Sequence, residues 1–144
     1  MSAVSWTHEH AVEDGQSVVV MGAMLQLRSV RHLPMFLRWS RDIRKQLAIS
    51  EGLVRYSLRA RFRTLEFDAL SIWVDDSALT SFARSGAHAS GARDLQQAGA
   101  MASTHFLTWG HTAGETWPTW VDLAMRVRLE DEAHAGAPRV RDSG

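Results

Sequence analysis

His88 is the side chain whose type and setting offer the most chemistry. A neutral imidazole can take a proton near neutral pH or ligate a metal through one nitrogen. The same residue could instead bridge a helix and a strand without any chemical role. Arg55 and Arg59 fall on one side of an alternating segment. They suit a two-pronged grip on a carboxylate or phenolate, or else a solvated ladder. Trp73, Phe82 and Met21 could wall an apolar pocket for a substrate, and each is equally at home as core packing. His105 and His111 share a strand face, but six residues of strand separate them by about 20 Å, too far for one metal ion. His8-Glu9-His10 lies outside the expected folded body. No metal site is therefore expected, unless His88 binds haem iron.

Other chemistry is excluded by what the 144 residues lack. There is no cysteine, hence no disulfide, thiolate metal site or cysteine nucleophile. No Asn occurs, and one Lys stands among the 16 basic residues. No Gly-rich phosphate loop, G-x-S-x-G elbow or H-E-x-x-H run is present. A formal net charge of +0 gives no bias toward nucleic acid or an anionic membrane. No apolar run reaches the twenty or so residues of a spanning helix, and no signal-peptide pattern opens the chain, so a cytoplasmic protein is expected. Six Trp against one Tyr demand burial in a core, interface or pocket.

The elements that would position these residues follow from periodicity. Residues 17–27 are dense in Val, Met and Leu and read as a well-buried strand. Residues 31–49 carry Leu33, Phe36, Leu37, Ile43 and Leu47 near helical spacing, with Pro34 in the first turn. From Leu53 to Arg61, Val54, Tyr56, Leu58 and Ala60 alternate with Arg55, Ser57, Arg59 and Arg61, which is a strand pattern. Residues 65–74 form the returning strand, and Asp75 or Asp76 caps a short helix bearing Leu79 and Phe82. A second helical piece runs from His88 to Leu95 or Ala98. Residues 103–111 form a fourth strand, and Trp117-Pro118 opens a last helix with Trp120, Leu123 and Val127.

The expected domain is residues 17–129, between flexible tails 1–16 and 130–144. Its order is βαββαβ plus a C-terminal helix, a ferredoxin-like α+β fold with an antiparallel sheet. Helices would cover one face of that sheet only. The bare face, with Trp109 on it, implies a homodimer with sheets packed face to face.

The stretch from Leu70 to His88, LSIWVDDSALTSFARSGAH, has a strand ending in Trp, an acidic turn, a short helix with an aromatic, then Ser-x-x-His. With the upstream Glu51-Gly52-Leu53-Val54, it resembles the dimeric α+β barrel superfamily, and within it the antibiotic-biosynthesis-monooxygenase-like proteins. The resemblance spans residues 18–129. It implies a cofactor-independent monooxygenase acting on an apolar or aromatic small molecule held between helices and sheet. His88 would be the catalytic base, with Trp73, Phe82, Met21 and Arg55 around the substrate. The haem-degrading branch of the superfamily implies instead a haem-binding protein with His88 as axial ligand. In that branch Phe82 takes the position of a Trp and Ala23 that of an Asn, so the ligand position alone is matched. A non-catalytic ligand-binding dimer is the third expectation.

Overall fold

Ser17–Leu27 alternates between two apolar sets, so this strand, β1, must be buried on both faces. Val18, Val20, Gly22 and Met24 point one way; Val19, Met21, Ala23 and Leu25 point the other. The computed structural model describes residues 4–7 and 10–136. In it β1 is an inner strand of a four-stranded antiparallel sheet of order β2-β3-β1-β4, with β2 at Leu53–Arg61, β3 at Glu66–Trp73 and β4 at Met101–Thr112. This is the ferredoxin-like α+β arrangement expected from the pattern of elements. Among the described residues no helix is long and apolar enough to cross a membrane.

A single 3-10 turn at Val30–His32 leads into α1, Leu33–Ala48, with Pro34 in its first turn, where a missing N–H costs nothing. Asp75 caps α2, Asp76–Ala83, by accepting the Ala78 N–H at 2.8 Å. α3 follows at Gly86–Gln97. The three helices lie on the Met21–Ala23 side of the sheet, over two clusters built around Phe36, Trp39 and Phe67 and around Leu47, Trp73 and Phe82. Gly91 lets α3 close on α1: a Cβ there would stand 1.8 Å from the Trp39 indole.

The other face is not bare, contrary to the expectation of helices on one side only. α4, Trp120–Gly136, lies across it, burying Trp120, Leu123 and Val127 against Val18, Val20, Leu70 and Ile72. Gly22 permits this approach, because a Cβ at that position would come within 2.4 Å of Leu123 Cδ1 and 3.2 Å of the Trp109 ring. Trp109, whose position suggested a partner, is half-buried and carries the Arg126 guanidinium of α4 at 4.4 Å from its ring centroid. α4 begins after a reciprocal cap between Thr119 and Asp122 and runs past Leu129, its expected end. Residues 137–144, the rest of the expected C-terminal tail, lie outside the described residues.

The segment ahead of β1 makes contacts that its composition did not signal. Thr7 and Tyr56 exchange backbone hydrogen bonds of 2.8 and 3.0 Å, and the His10 N–H reaches the Val54 carbonyl at 2.7 Å. Val4, Trp6 and Val12 add to the core beneath α4.

Candidate functional site

The junction of α2 and α3 is held from α1, and that hold places His88. Gln46 uses its whole amide for the purpose. Its Nε2 donates to the Phe82 and Ser85 carbonyls at 3.0 and 2.8 Å, and its Oε1 accepts the His88 backbone N–H at 2.8 Å. Trp39 Nε1 donates to the Ala87 carbonyl at 2.9 Å. Gln46 thus satisfies the His88 N–H, one of the donors that a helix N-terminus leaves without a partner, and both α1 side chains tie the α2–α3 junction to α1. His88 can shift little relative to α1.

The ring itself is set by Ala83, whose carbonyl lies 3.1 Å from Nδ1. A carbonyl only accepts, so Nδ1 carries the proton and Nε2 keeps a lone pair. Phe82 and Trp39 flank the imidazole at 5.0 and 6.0 Å between ring centroids. Burial pushes the His88 pKa below the usual 6.5, partly opposed by the Ala83 carbonyl bond. The side chain is therefore neutral at pH 7, with a basic nitrogen available.

His88 borders a cavity of about 170 Å³ between α1, α3 and the helix-side face of the sheet. Met21, Ala23, Ala69 and Leu58 form its floor and Phe36, Ile43 and Phe82 its walls. The cavity exists because Ala23 and Ala69, paired across β1 and β3, leave a hollow that the helices do not fill. Tyr56 and Ser71, opposite each other on β2 and β3, contribute hydroxyls. Ser71 Oγ accepts from Trp73 Nε1 at 2.9 Å, and the Tyr56 hydroxyl has no hydrogen bond among the described residues. At the mouth Leu37, Phe62 and Phe106 are 43%, 56% and 47% exposed, an apolar rim around an apolar interior.

The residues expected from sequence divide between the two faces. His88, Phe82 and Met21 meet at the cavity. Trp73 is fully buried one layer behind, stacked on Phe82 at 5.0 Å, so it supports the wall rather than forming it. Arg55 is on the opposite face, with its guanidinium over Trp6 and Trp117 at 5.8 and 4.5 Å. Arg59 is there too, over Trp120 and bound to the buried carboxylate of Asp68 at 2.6 Å. His105 meets Asp131 at 3.2 Å and His111 stacks on Trp117 at 5.3 Å. No group of three metal-binding side chains occurs among the described residues, and His8 and Glu9 lie outside them. Gln46 and Tyr56 were not anticipated. The alternation of residues 53–61 put Tyr56 on an inward face, which was the one available signal.

No family model and no curated protein matches the chain. Solved structures do resemble it. PA3566 from Pseudomonas aeruginosa superposes with a TM-score of 0.58 at 15% identity, over 70% of this chain and 100% of that one. A dimeric protein of unknown function and ferredoxin-like fold from Bacteroides fragilis gives 0.54 at 14% identity, over 65% and 96%. A Bacteroides thetaiotaomicron protein named "Putative antibiotic biosynthesis monooxygenase" gives 0.56 at 13%, over 70% and 91%. Each neighbour is matched almost whole, whereas about a third of this chain lies beyond the match. The shared property is the ferredoxin-like fold.

Proposed function

We propose that the chain is a small-molecule monooxygenase of the cofactor-independent type, with His88 as general base and a one-ring aromatic or similar apolar substrate. The observation that carries this reading is the imidazole: its Nδ1–H is committed to the Ala83 carbonyl, and its neutral ring borders an apolar cavity. A void of about 150 Å³ accommodates benzene, so about 170 Å³ accepts a single ring without rearrangement. The Bacteroides thetaiotaomicron neighbour bearing a monooxygenase name supports the same class.

In this reading the substrate supplies every electron. His88 Nε2 removes a proton from an activated CH₂, and the carbanion passes one electron to dioxygen. The two radicals join as a carbon-bound peroxide. Loss of water then leaves a carbonyl, so CH₂ and O₂ become C=O and H₂O. The apolar walls favour the neutral base and exclude water from the peroxide. The Tyr56 hydroxyl is the donor available to an oxygen on the ring. Trp73 and Gln46 act at one remove, holding Phe82 and His88.

A homodimer forms part of this proposal, as the Bacteroides fragilis neighbour is dimeric. Haem is the second reading, favoured by the free Nε2 of His88. The porphyrin does not fit as the cavity stands: the space takes one ring, and Phe82 and Trp39 crowd the imidazole.

The test compares oxygen uptake of wild type and His88→Gln with a panel of one-ring substrates bearing an activated methylene. Turnover should fall about 10²- to 10⁴-fold in the variant, with binding retained. Binding without oxygen uptake in the wild type leaves a ligand-binding protein. A stoichiometric Soret band with hemin that is lost in His88→Ala would replace this reading with the haem one.

A further inference from the structure

We infer that the molecule held in the cavity is an apolar carboxylic acid, with its ring inside and its carboxylate at the mouth on Arg44. This rests on the cavity being a substrate site, as proposed above, and is independent of the oxygen chemistry. Arg44 borders the cavity from α1, and its exposed guanidinium has no ion pair or hydrogen bond among the described residues. The other charged residues of the lining, Arg59 and Asp68, bind each other at 2.6 Å on the α4 side. One uncommitted positive charge thus stands at an opening that Leu37, Phe62 and Phe106 otherwise make apolar.

Ser40 lies one turn before Arg44 and borders the same cavity, and its hydroxyl has no hydrogen bond among the described residues. Residues four apart share a stripe of a helix, so the hydroxyl and the guanidinium are neighbours. Together they match the two oxygens of a carboxylate. The charge of the whole helix favours the same ligand. α1 carries Arg38, Arg41, Arg44 and Lys45 against Asp42, which pairs with Arg41 at 3.8 Å. In a chain of net charge +0, that excess gathers on the element beside the mouth and draws in an anion. A solvated helix face accounts for Arg38 and Arg41, but not for a cation and a free hydroxyl on the rim of an apolar cavity. Trp39 and Gln46 reach α3 and His88 from one flank of α1, and helical spacing sets Ser40 and Arg44 on the other. A molecule that meets both the imidazole and the guanidinium extends across the helix. Its carboxylate therefore stands on a short chain and not on the ring itself.

Calorimetric titration with phenylpropanoate and with its uncharged amide, at about pH 7.5 and low salt, tests the assignment. The wild type should bind the acid about three- to tenfold more tightly than the amide. Arg44→Gln should bring that ratio to about one, and Arg44→Glu should invert it. Arg38→Gln, an exposed cation of α1 that does not border the cavity, should preserve it. Both positions are exposed, so thermal melts should match the wild type. Equal affinity for acid and amide in the wild type, or a ratio that Arg44→Glu leaves unchanged, would overturn the assignment. So would an equal fall in Arg38→Gln, which would trace the preference to the general charge of the helix. Acid preference that follows Arg44 without any oxygen uptake upholds the carboxylate site and removes the monooxygenase. Oxygen uptake with neutral one-ring compounds and no acid preference does the reverse. Failure to bind either compound overturns both.

Discussion

The two faces of this sheet are made by the same strands and end in opposite states of packing. On the α4 side, Leu123 descends onto Gly22 and four tryptophans, Trp6, Trp109, Trp117 and Trp120, are each met by an arginine. On the other side, alanines at 23 and 69 lie beneath α1 with a hollow above them. Small residues occur on both faces, with different results. Gly22 is small so that a neighbour can come closer; Ala23 and Ala69 are small and no neighbour follows. Close packing stabilises, whereas incomplete packing next to a neutral imidazole leaves room for a ligand. On the function proposed above, stability rests on the α4 face and the chemistry on the other.

The largest test of that division is Leu123→Ala. Emptying a fully buried position should cost about 2–5 kcal/mol of unfolding free energy, read from urea denaturation. Ligand affinity at the cavity should be unchanged under conditions where the variant stays folded. Next is Gly22→Ala, whose added methyl must displace Leu123 or the Trp109 ring and should cost about 1–3 kcal/mol. An unchanged melting curve would mean that α4 does not press on this strand. On the other face, Ala69→Leu should act in the reverse sense. Filling the hollow should weaken binding of a one-ring ligand by about tenfold, about 1.4 kcal/mol, while thermal stability holds or rises. A variant that loses stability and keeps binding would reverse the assignment.

The smallest effect is that of pH. Folding holds the His88 pKa below 6.5, so the unfolded chain binds a proton more readily. The contribution of His88 to stability is therefore intact above pH 6.5 and declines as the pH falls below it. Urea midpoints measured from about pH 7.5 to about pH 5.5 should decline more steeply for wild type than for His88→Gln. Turnover should show an acid limb in the same direction, because protonated Nε2 cannot act as a base. Parallel midpoints in the two proteins would show that the ring is not held neutral by the fold.

Much of the framework was legible along the chain. The alternation from Val54 to Arg61 sorted the β2 side chains into two sets, and the structure keeps those sets from Arg55 onward; a bulge between Leu53 and Arg55 moves Val54 to the α4 side, away from Tyr56 and Leu58. Asp75 announced the start of α2 and Pro34 that of α1. The hairpin after Arg61 had no Asn-Gly signal, and Leu65 adopts φ 57 there, a conformation nothing local demands. β1 held a clue to α4: Val18, Val20 and Met24 are as apolar as Val19, Met21 and Leu25, and a strand apolar on both faces needs cover on both. The site was less legible. His88 drew notice through its type and surroundings, but Gln46 lies 42 residues away and looked like one more polar position on a solvated helix face.

Local order in the sequence determined the elements, their order and, away from the bulge at Val54, which side chains of a strand travel together, because periodicity and capping are properties of neighbours. Only the tertiary structure decided which set meets which helix. Arg55 and Tyr56 are adjacent in the chain, yet one packs among tryptophans under α4 and the other opens onto the cavity. That choice depends on volumes brought together from distant segments, Leu123 over Gly22 and α1 over Ala23 and Ala69. A pattern of apolar and polar residues records that a face is buried; it does not record how completely the space above that face is filled.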